Sequence, residues 1–167
     1  MRKFLAVLLS VAMVLGVAGC GSSNSSTKAD DTKDAATTEA ASDIKVGFIF
    51  VGDENEGYTY AHVLGAKEMQ EALGLSDDQI IYKWNIPENE QCYDAAVDLA
   101  EQGCNIIFSN SFGHEDYIIQ AAQEYPDVQF CHATGYKAAS SGLSNMHNYF
   151  TSVYQSRYVS GVVAGMK

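Results

Sequence analysis

The sequence predicts an α/β domain with a parallel sheet and helices on both faces. Two observations predict it. From Asp43 onward, short apolar runs alternate with segments whose apolar residues fall at helical spacing. The first three helical segments each stop at a glycine or a proline, at Gly74, Gly103 and Pro126. Alternation of this kind places a crossover helix between successive parallel strands.

The elements follow in order. Residues 45–51 form a continuous apolar run and read as a buried strand. Residues 60–73 carry Val63, Ala66, Met69 and Leu73 at helical spacing, with Gly74 as a natural stop. A second strand is expected at 79–84. Residues 90–102 put Cys92, Ala95, Ala96, Leu99 and Ala100 on one helical face, ended by Gly103. A third strand is expected at 105–109, and a third helix at 114–125, stopped before Pro126. A fourth strand follows at 128–133, a short fifth at 144–150, and a final helix at 154–166.

Ahead of this domain lies a different kind of sequence. Arg2 and Lys3 precede an apolar run over 4–17, too short to span a bilayer, which needs ~20 residues. The run ends Val17-Ala18-Gly19-Cys20. This is the layout of a secretory leader, residues 1–19, cut before a cysteine whose thiol carries a diacylglyceryl group. Two acyl chains make such an anchor durable. Residues 21–42 are Ser, Thr, Ala, Asp and Lys with no aromatic, so they bury too little to fold. Residues 20–42 therefore read as a lipidated tether holding the domain on the outer face of the cell membrane.

Composition narrows the function. The formal charge of −11 argues against nucleic acid or anionic lipid as a partner. Cys92, Cys104 and Cys131 show no CxxC spacing and no His at metal-ligand spacing, so buried free thiols are expected, with no metal and no cofactor. Catalysis finds no frame either. Ser109, Ser111 and His114 are neighbours, but no GxSxG elbow surrounds a nucleophile. Glu115 and Asp116 open a helix, where its dipole favours acids. Gly161 and Gly165 spell GxxxG, read as close packing of a soluble helix.

In open parallel sheets, ligands bind at the carboxyl ends of the strands. The loops there are 52–59, 85–88, 110–113 and 134–136. The first is Gly52-Asp-Glu-Asn-Glu-Gly-Tyr-Thr-Tyr60, acidic and without a phosphate-binding glycine pattern. Asp53, Glu54 and Glu56 would repel phosphate and suit a neutral ligand with N–H or O–H donors. Tyr58, Tyr60, Trp84, Phe112 and Tyr136 border these loops, and several flat rings suit a flat ligand. Trp84 and Tyr136 fit equally well as covers for the core.

These segments together resemble the basic membrane protein (BMP) family. The matching stretches are Lys45-Val-Gly-Phe-Ile-Phe-Val-Gly52, Gly57-Tyr-Thr-Tyr-Ala-His62, Ser109-Asn-Ser-Phe-Gly113, His132-Ala-Thr-Gly-Tyr-Lys137 and Tyr154-Gln-Ser-Arg-Tyr-Val-Ser-Gly161. The family comprises substrate-binding lipoproteins of ABC importers with the type I periplasmic-binding-protein fold. Its members bind purine nucleosides and, in one branch, free purine bases. The resemblance implies a purine base stacked by Tyr58, Tyr60 and Phe112 beside Gly113, with Asp53 and Asn110 as hydrogen-bonding candidates. Asp116 matches a position near the sugar. It implies an extracytoplasmic monomeric receptor that is not an enzyme and whose partner is a membrane permease. Arg157 fits either a pair with the acidic first loop or a role at a domain junction.

Family members are more than twice as long and close two lobes on the ligand. Residues 43–150 match lobe one, and residues 151–167 match the start of the crossover to lobe two. The chain by itself is therefore expected to bind weakly. Alternatives with the same fold are a sugar-like ligand or a signalling receptor. An extracytoplasmic nucleoside hydrolase using Asp53 and Asp116 is a further alternative, as is an adhesive surface lipoprotein.

Overall fold

A computed structural model describes residues 43–167. The leader, the Cys20 anchor and the tether lie outside the described residues.

Five strands form one parallel sheet. They are β1 (Val46–Ile49), β2 (Ile80–Lys83), β3 (Ile106–Ser109), β4 (Gln129–Ala133) and β5 (Met146–Tyr149), in the order β2-β1-β3-β4-β5. The helices are α1 (Gly57–Leu73), α2 (Glu90–Glu101), α3 (Glu115–Glu124), α4 (Ala138–Ser141) and α5 (Val153–Gly165). Short 3-10 turns stand at Asp77–Gln79 and Phe112–His114. All four pairings are parallel, with Val46 opposite both Ile80 and Ile106.

Side chains alternate across the sheet, so β1, β2 and β3 feed two cores. On one face Val46, Phe48, Phe50 and Ile80 pack with Val63, Ala66 and Leu75, from α1 and the turn after it. On the other face Ile49, Ile107, Phe130 and Met146 pack with α2 and α3 through Ala96, Leu99, Ile118 and Ala121. Gly47 makes the second core possible. A Cβ there would lie 2.9 Å from Leu99 Cδ1, so only a glycine lets α2 close over β1. Helices on both faces of a parallel sheet are what the sequence predicts.

The differences from the sequence expectation have local causes. Helix α1 starts three residues early, at Gly57, because the Glu56 carboxylate caps it by accepting from Tyr58 N (2.8 Å) and Thr59 N (2.7 Å). Glutamate is not among the preferred N-caps, which are Ser, Thr, Asp and Asn, so the sequence did not announce this start. Tyr58 thus stands in the first helical turn and not in a loop. Helix α4 was not expected; Gly142, at φ 74°, ends it. The close packing expected of Gly161 and Gly165 is absent. Helix α5 buries no residue, and nothing lies within 4 Å of a Cβ built on either glycine. The three cysteines are free, with Cys92 and Cys104 buried and Cys131 half-buried. Burial pushes the Cys92 thiol up to about 12.

Leu99 is fully buried over Gly47. Leu99→Ala is expected to cost about 2–5 kcal/mol of stability, read as a lower urea midpoint at unchanged slope.

Candidate functional site

The strand order reverses between β1 and β3. In a 2-1-3-4-5 sheet this switch point is where the loops diverge and a ligand crevice opens. The divergence is bridged by Asn110. Its backbone N–H donates to Ile49 O (3.2 Å), and its Oδ1 accepts from Val51 N (2.9 Å). Its Nδ2 donates to Thr59 Oγ1 (3.4 Å), and its carbonyl accepts from the Tyr58 hydroxyl. Asn110 is 1 % exposed, so these bonds form away from water. They tie β1, β3 and the first turn of α1 at one point.

Beside this point runs a groove of about 880 Å³, the size range of small-molecule sites. Its floor is the aromatic face of the sheet, Phe48 and Phe108, whose rings lie 5.2 Å apart at 15°. One wall is α1, through His62, Ala66 and Met69. The rim carries Tyr58, Phe112, Tyr149 and Phe150, and Arg157 of α5 reaches it as well. Tyr58 meets the His62 ring edge-on at 4.8 Å. Burial holds the His62 imidazole below its ordinary value, so it is neutral at pH 7.

A second, smaller notch lies across the first loop, lined by Asp53, Glu54, Asn55, Trp84 and Asn85. It takes the acidic residues away from the groove. Asp53 Oδ1 accepts from Asn55 N (2.9 Å) and Asn55 Nδ2 (3.0 Å), which hold its carboxyl below the usual carboxylate range. Trp84 packs on Phe50 and Tyr82, each with centroids at 5.2 Å, so it covers the edge of the core.

The sequence-derived site residues therefore separate. Tyr58, Asn110 and Phe112 line the groove. Asp53 lies in the notch, and Tyr60 is exposed on α1 outside the groove. Asp116 is exposed and paired with Lys137 Nζ (2.5 Å). Gly113 lies behind Phe112, where its N–H donates to Glu88 Oε1 (2.8 Å) and a Cβ would overlap that side chain. The sequence reading missed Phe48, Phe108, His62 and Tyr149. The first two were read only as strand core. Phe108 and Tyr149 meet edge-on across non-adjacent strands, so only the strand order brings them together.

A buried polar knot shapes the rim. Glu115 is 2 % exposed, and its Oε1 accepts from Tyr136 N and Lys137 N (both 2.7 Å) and Asn148 Nδ2 (3.1 Å). Its carboxylate thus ties the loop after β4, beyond any favourable effect on the α3 dipole. His132 Nε2 donates to Ser111 O (2.6 Å), and its Nδ1 lies 4.0 Å from Glu115 Oε1. His114 Nε2 donates to Ile86 O (3.0 Å) while its Nδ1 accepts from the Ser109 hydroxyl (2.9 Å). These partners fix each imidazole as the neutral Nε2–H tautomer. Glu88 completes the network by accepting from the Ser111 hydroxyl (2.6 Å). Serine, histidine and carboxylate here all hold loops.

The fold and groove define an α/β lobe whose groove runs from the strand ends of β1 and β3 onto the sheet face beside α1. The family described as ABC transporter substrate-binding protein, PnrA-like, matches residues 44–167, and the chain belongs to it. A purine-binding protein of Brucella abortus is 39 % identical over 122 residues, covering 72 % of this chain and 33 % of the relative. A Haloferax volcanii chain named as a candidate ABC transporter glucose-binding protein is 24 % identical over 148 residues, 87 % of this chain and 36 % of the relative. The chain thus spans about a third of the length of the curated relatives it matches. Among solved structures, an ABC transporter solute-binding protein from Conexibacter woesei superposes at a TM-score of 0.55 and 21 % identity, covering 64 % of this chain and 35 % of that one. A transcriptional activator of the comK gene from Bacillus halodurans superposes at 0.50 and 19 % identity, covering 62 % and 33 %. Both share the fold.

Two predictions follow from the knot. Burial lowers the His114 and His132 values from 6.5, against smaller raising effects of Glu88 on His114 and Glu115 on His132. Below pH 6.5 the unfolded chain therefore binds protons that the folded chain refuses. Stability should be fully present above that pH and fall as pH drops through it. Urea unfolding at about pH 7.5 and about pH 5 should show this loss, and His132→Gln should shrink the difference between the two. A Cβ on Gly135 would overlap Glu115 Oε1, His132 Nδ1 and Asn148 Nδ2. Gly135→Ala should therefore destabilise by about 1–3 kcal/mol and broaden the amide signals of 134–137.

Proposed function

We propose that this chain is the first lobe of an extracytoplasmic receptor that delivers a purine base or nucleoside to an ABC permease. The observation that carries the reading is the groove at the β1/β3 switch point, walled by flat rings and fixed by the Asn110 stitch. Phe112 is 60 % exposed at its rim and so able to stack on a flat ligand, with the Tyr136 ring 6.3 Å away and inclined at 29°. Tyr58 supplies the opposing ring. The relative from Brucella abortus, named for purine binding, supports the same ligand class.

A second lobe would close over the groove by hinge motion, and the permease would recognise the closed state. Cys20 and the tether over 20–42 would keep the receptor at the membrane. Residues 151–167 would begin the crossover. The proposed mechanism is binding and release, and among the described residues the groove walls pair no nucleophile with a base.

The Haloferax volcanii relative favours a sugar as the second reading. The groove speaks for the purine: a sugar's hydroxyls need many polar partners, and aromatic rings dominate here.

Isothermal titration with hypoxanthine, adenine, inosine, adenosine and glucose tests the choice. Purine binding without glucose binding is expected. Phe112→Ala should weaken it about three- to tenfold through lost stacking, with the thermal midpoint unchanged. Glucose binding in place of purine binding would sink the proposal.

A further inference from the structure

Resting on the purine reading, we infer that Arg157 makes the groove selective for 6-oxopurines over adenine. The sequence favoured a ligand rich in N–H and O–H donors, because the first loop is acidic. The structure reverses that electrostatic argument. Glu56 spends both carboxylate oxygens on the α1 cap, Glu88 on Ser111 and Gly113, and Asp53 faces the notch. No carboxylate lines the groove among the described residues, and its one formally charged side chain is Arg157.

Arg157 has no ion-pair or hydrogen-bond partner among the described residues. The expected pair with the acidic first loop is not formed. A guanidinium carries five donors, no acceptor and a fixed planar fork. The ligand edge that meets it must therefore offer acceptors in a plane. A 6-oxopurine offers O6 and N7 side by side, the edge that arginine grips with two parallel bonds. Adenine places an N6 donor where O6 would be, so one arm of the fork meets another donor.

Thr134 is a second, independent feature of the same wall. It is a β-branched residue at φ 70°, and its Oγ1 is buried with no hydrogen-bond partner. Strain with an orphan hydroxyl at a cleft wall is the kind of outlier that marks a binding site. Thr134 thus marks this part of the groove as built for a ligand, and Arg157 supplies the fork that meets the ligand's carbonyl.

The test is an NMR titration of the 15N-labelled full chain with hypoxanthine and with adenine, in wild type and Arg157→Ala. Arg157 is exposed on a helix that buries nothing, so the substitution leaves the fold intact, which the amide spectrum verifies directly. Hypoxanthine should bind about tenfold more tightly than adenine, with shifts at Tyr58, Phe112 and Thr134. Arg157→Ala should erase the preference, and Arg157→Lys should restore only part of it. Adenine binding as tightly as hypoxanthine, or a preference that survives Arg157→Ala, overturns the inference and leaves the purine reading standing. No shift with either purine up to millimolar concentration overturns both.

Discussion

The architecture of the site depends on the bonds of one buried asparagine. A 2-1-3-4-5 sheet must open at its switch point, because the chains leaving β1 and β3 cross to opposite faces. The opening exposes backbone groups that have lost their strand partners. Asn110 supplies partners for them: its side chain takes the orphan Val51 N–H and its backbone reaches Ile49 O. The Tyr58 hydroxyl then bonds to the Asn110 carbonyl, so the ring at the groove rim is positioned from the strand junction itself. An aliphatic residue here would leave the buried Val51 N–H without its side-chain acceptor, at about 1–3 kcal/mol, and would keep only the backbone carbonyl that Tyr58 uses.

The other side of the rim is held differently. Loops after β2, β3 and β4 carry no backbone ladder between them. Buried side chains take that role: His114 joins Ile86 to Ser109, His132 joins β4 to Ser111, and Glu115 gathers the amides of Tyr136 and Lys137. Each of these residues carries chemistry that a sequence search for catalysis would notice. Each is spent on geometry, and Gly113 and Gly135 are the positions where no side chain fits between the parts. A rim built this way is preorganised, so ligand binding need not order it.

The sheet, the helices and the loop positions were legible in the sequence because hydrophobic periodicity is local. Tyr58 and Phe112 were legible as groove residues because each belongs to the connection that leaves the carboxyl end of a strand. The sign of the groove was not legible. Asp53, Glu54 and Glu56 are adjacent in sequence to Tyr58, yet capping turns one carboxylate back on α1 and an Asn55 turn holds another in the notch. Phe48, Phe108 and Tyr149 escaped for another reason. Strand order decides which buried rings share a wall, and periodicity carries no information about strand order.

The contrast between a chain of net charge −11 and a groove whose one formally charged side chain among the described residues is a guanidinium has a physical meaning. Screening confines a surface field to about 8 Å at physiological salt, so a ligand first meets the acidic exterior and only then the groove. An anion would be held off by the first field. A ligand rich in donors would find no carboxylate in the second among the described residues. A neutral, flat, carbonyl-bearing ring is disfavoured by neither, and it gains from desolvation against Phe48 and Phe108 before the guanidinium is reached. On the proposed reading, Arg157 sets the choice among purines, and the acidic exterior bars anions before the guanidinium is reached.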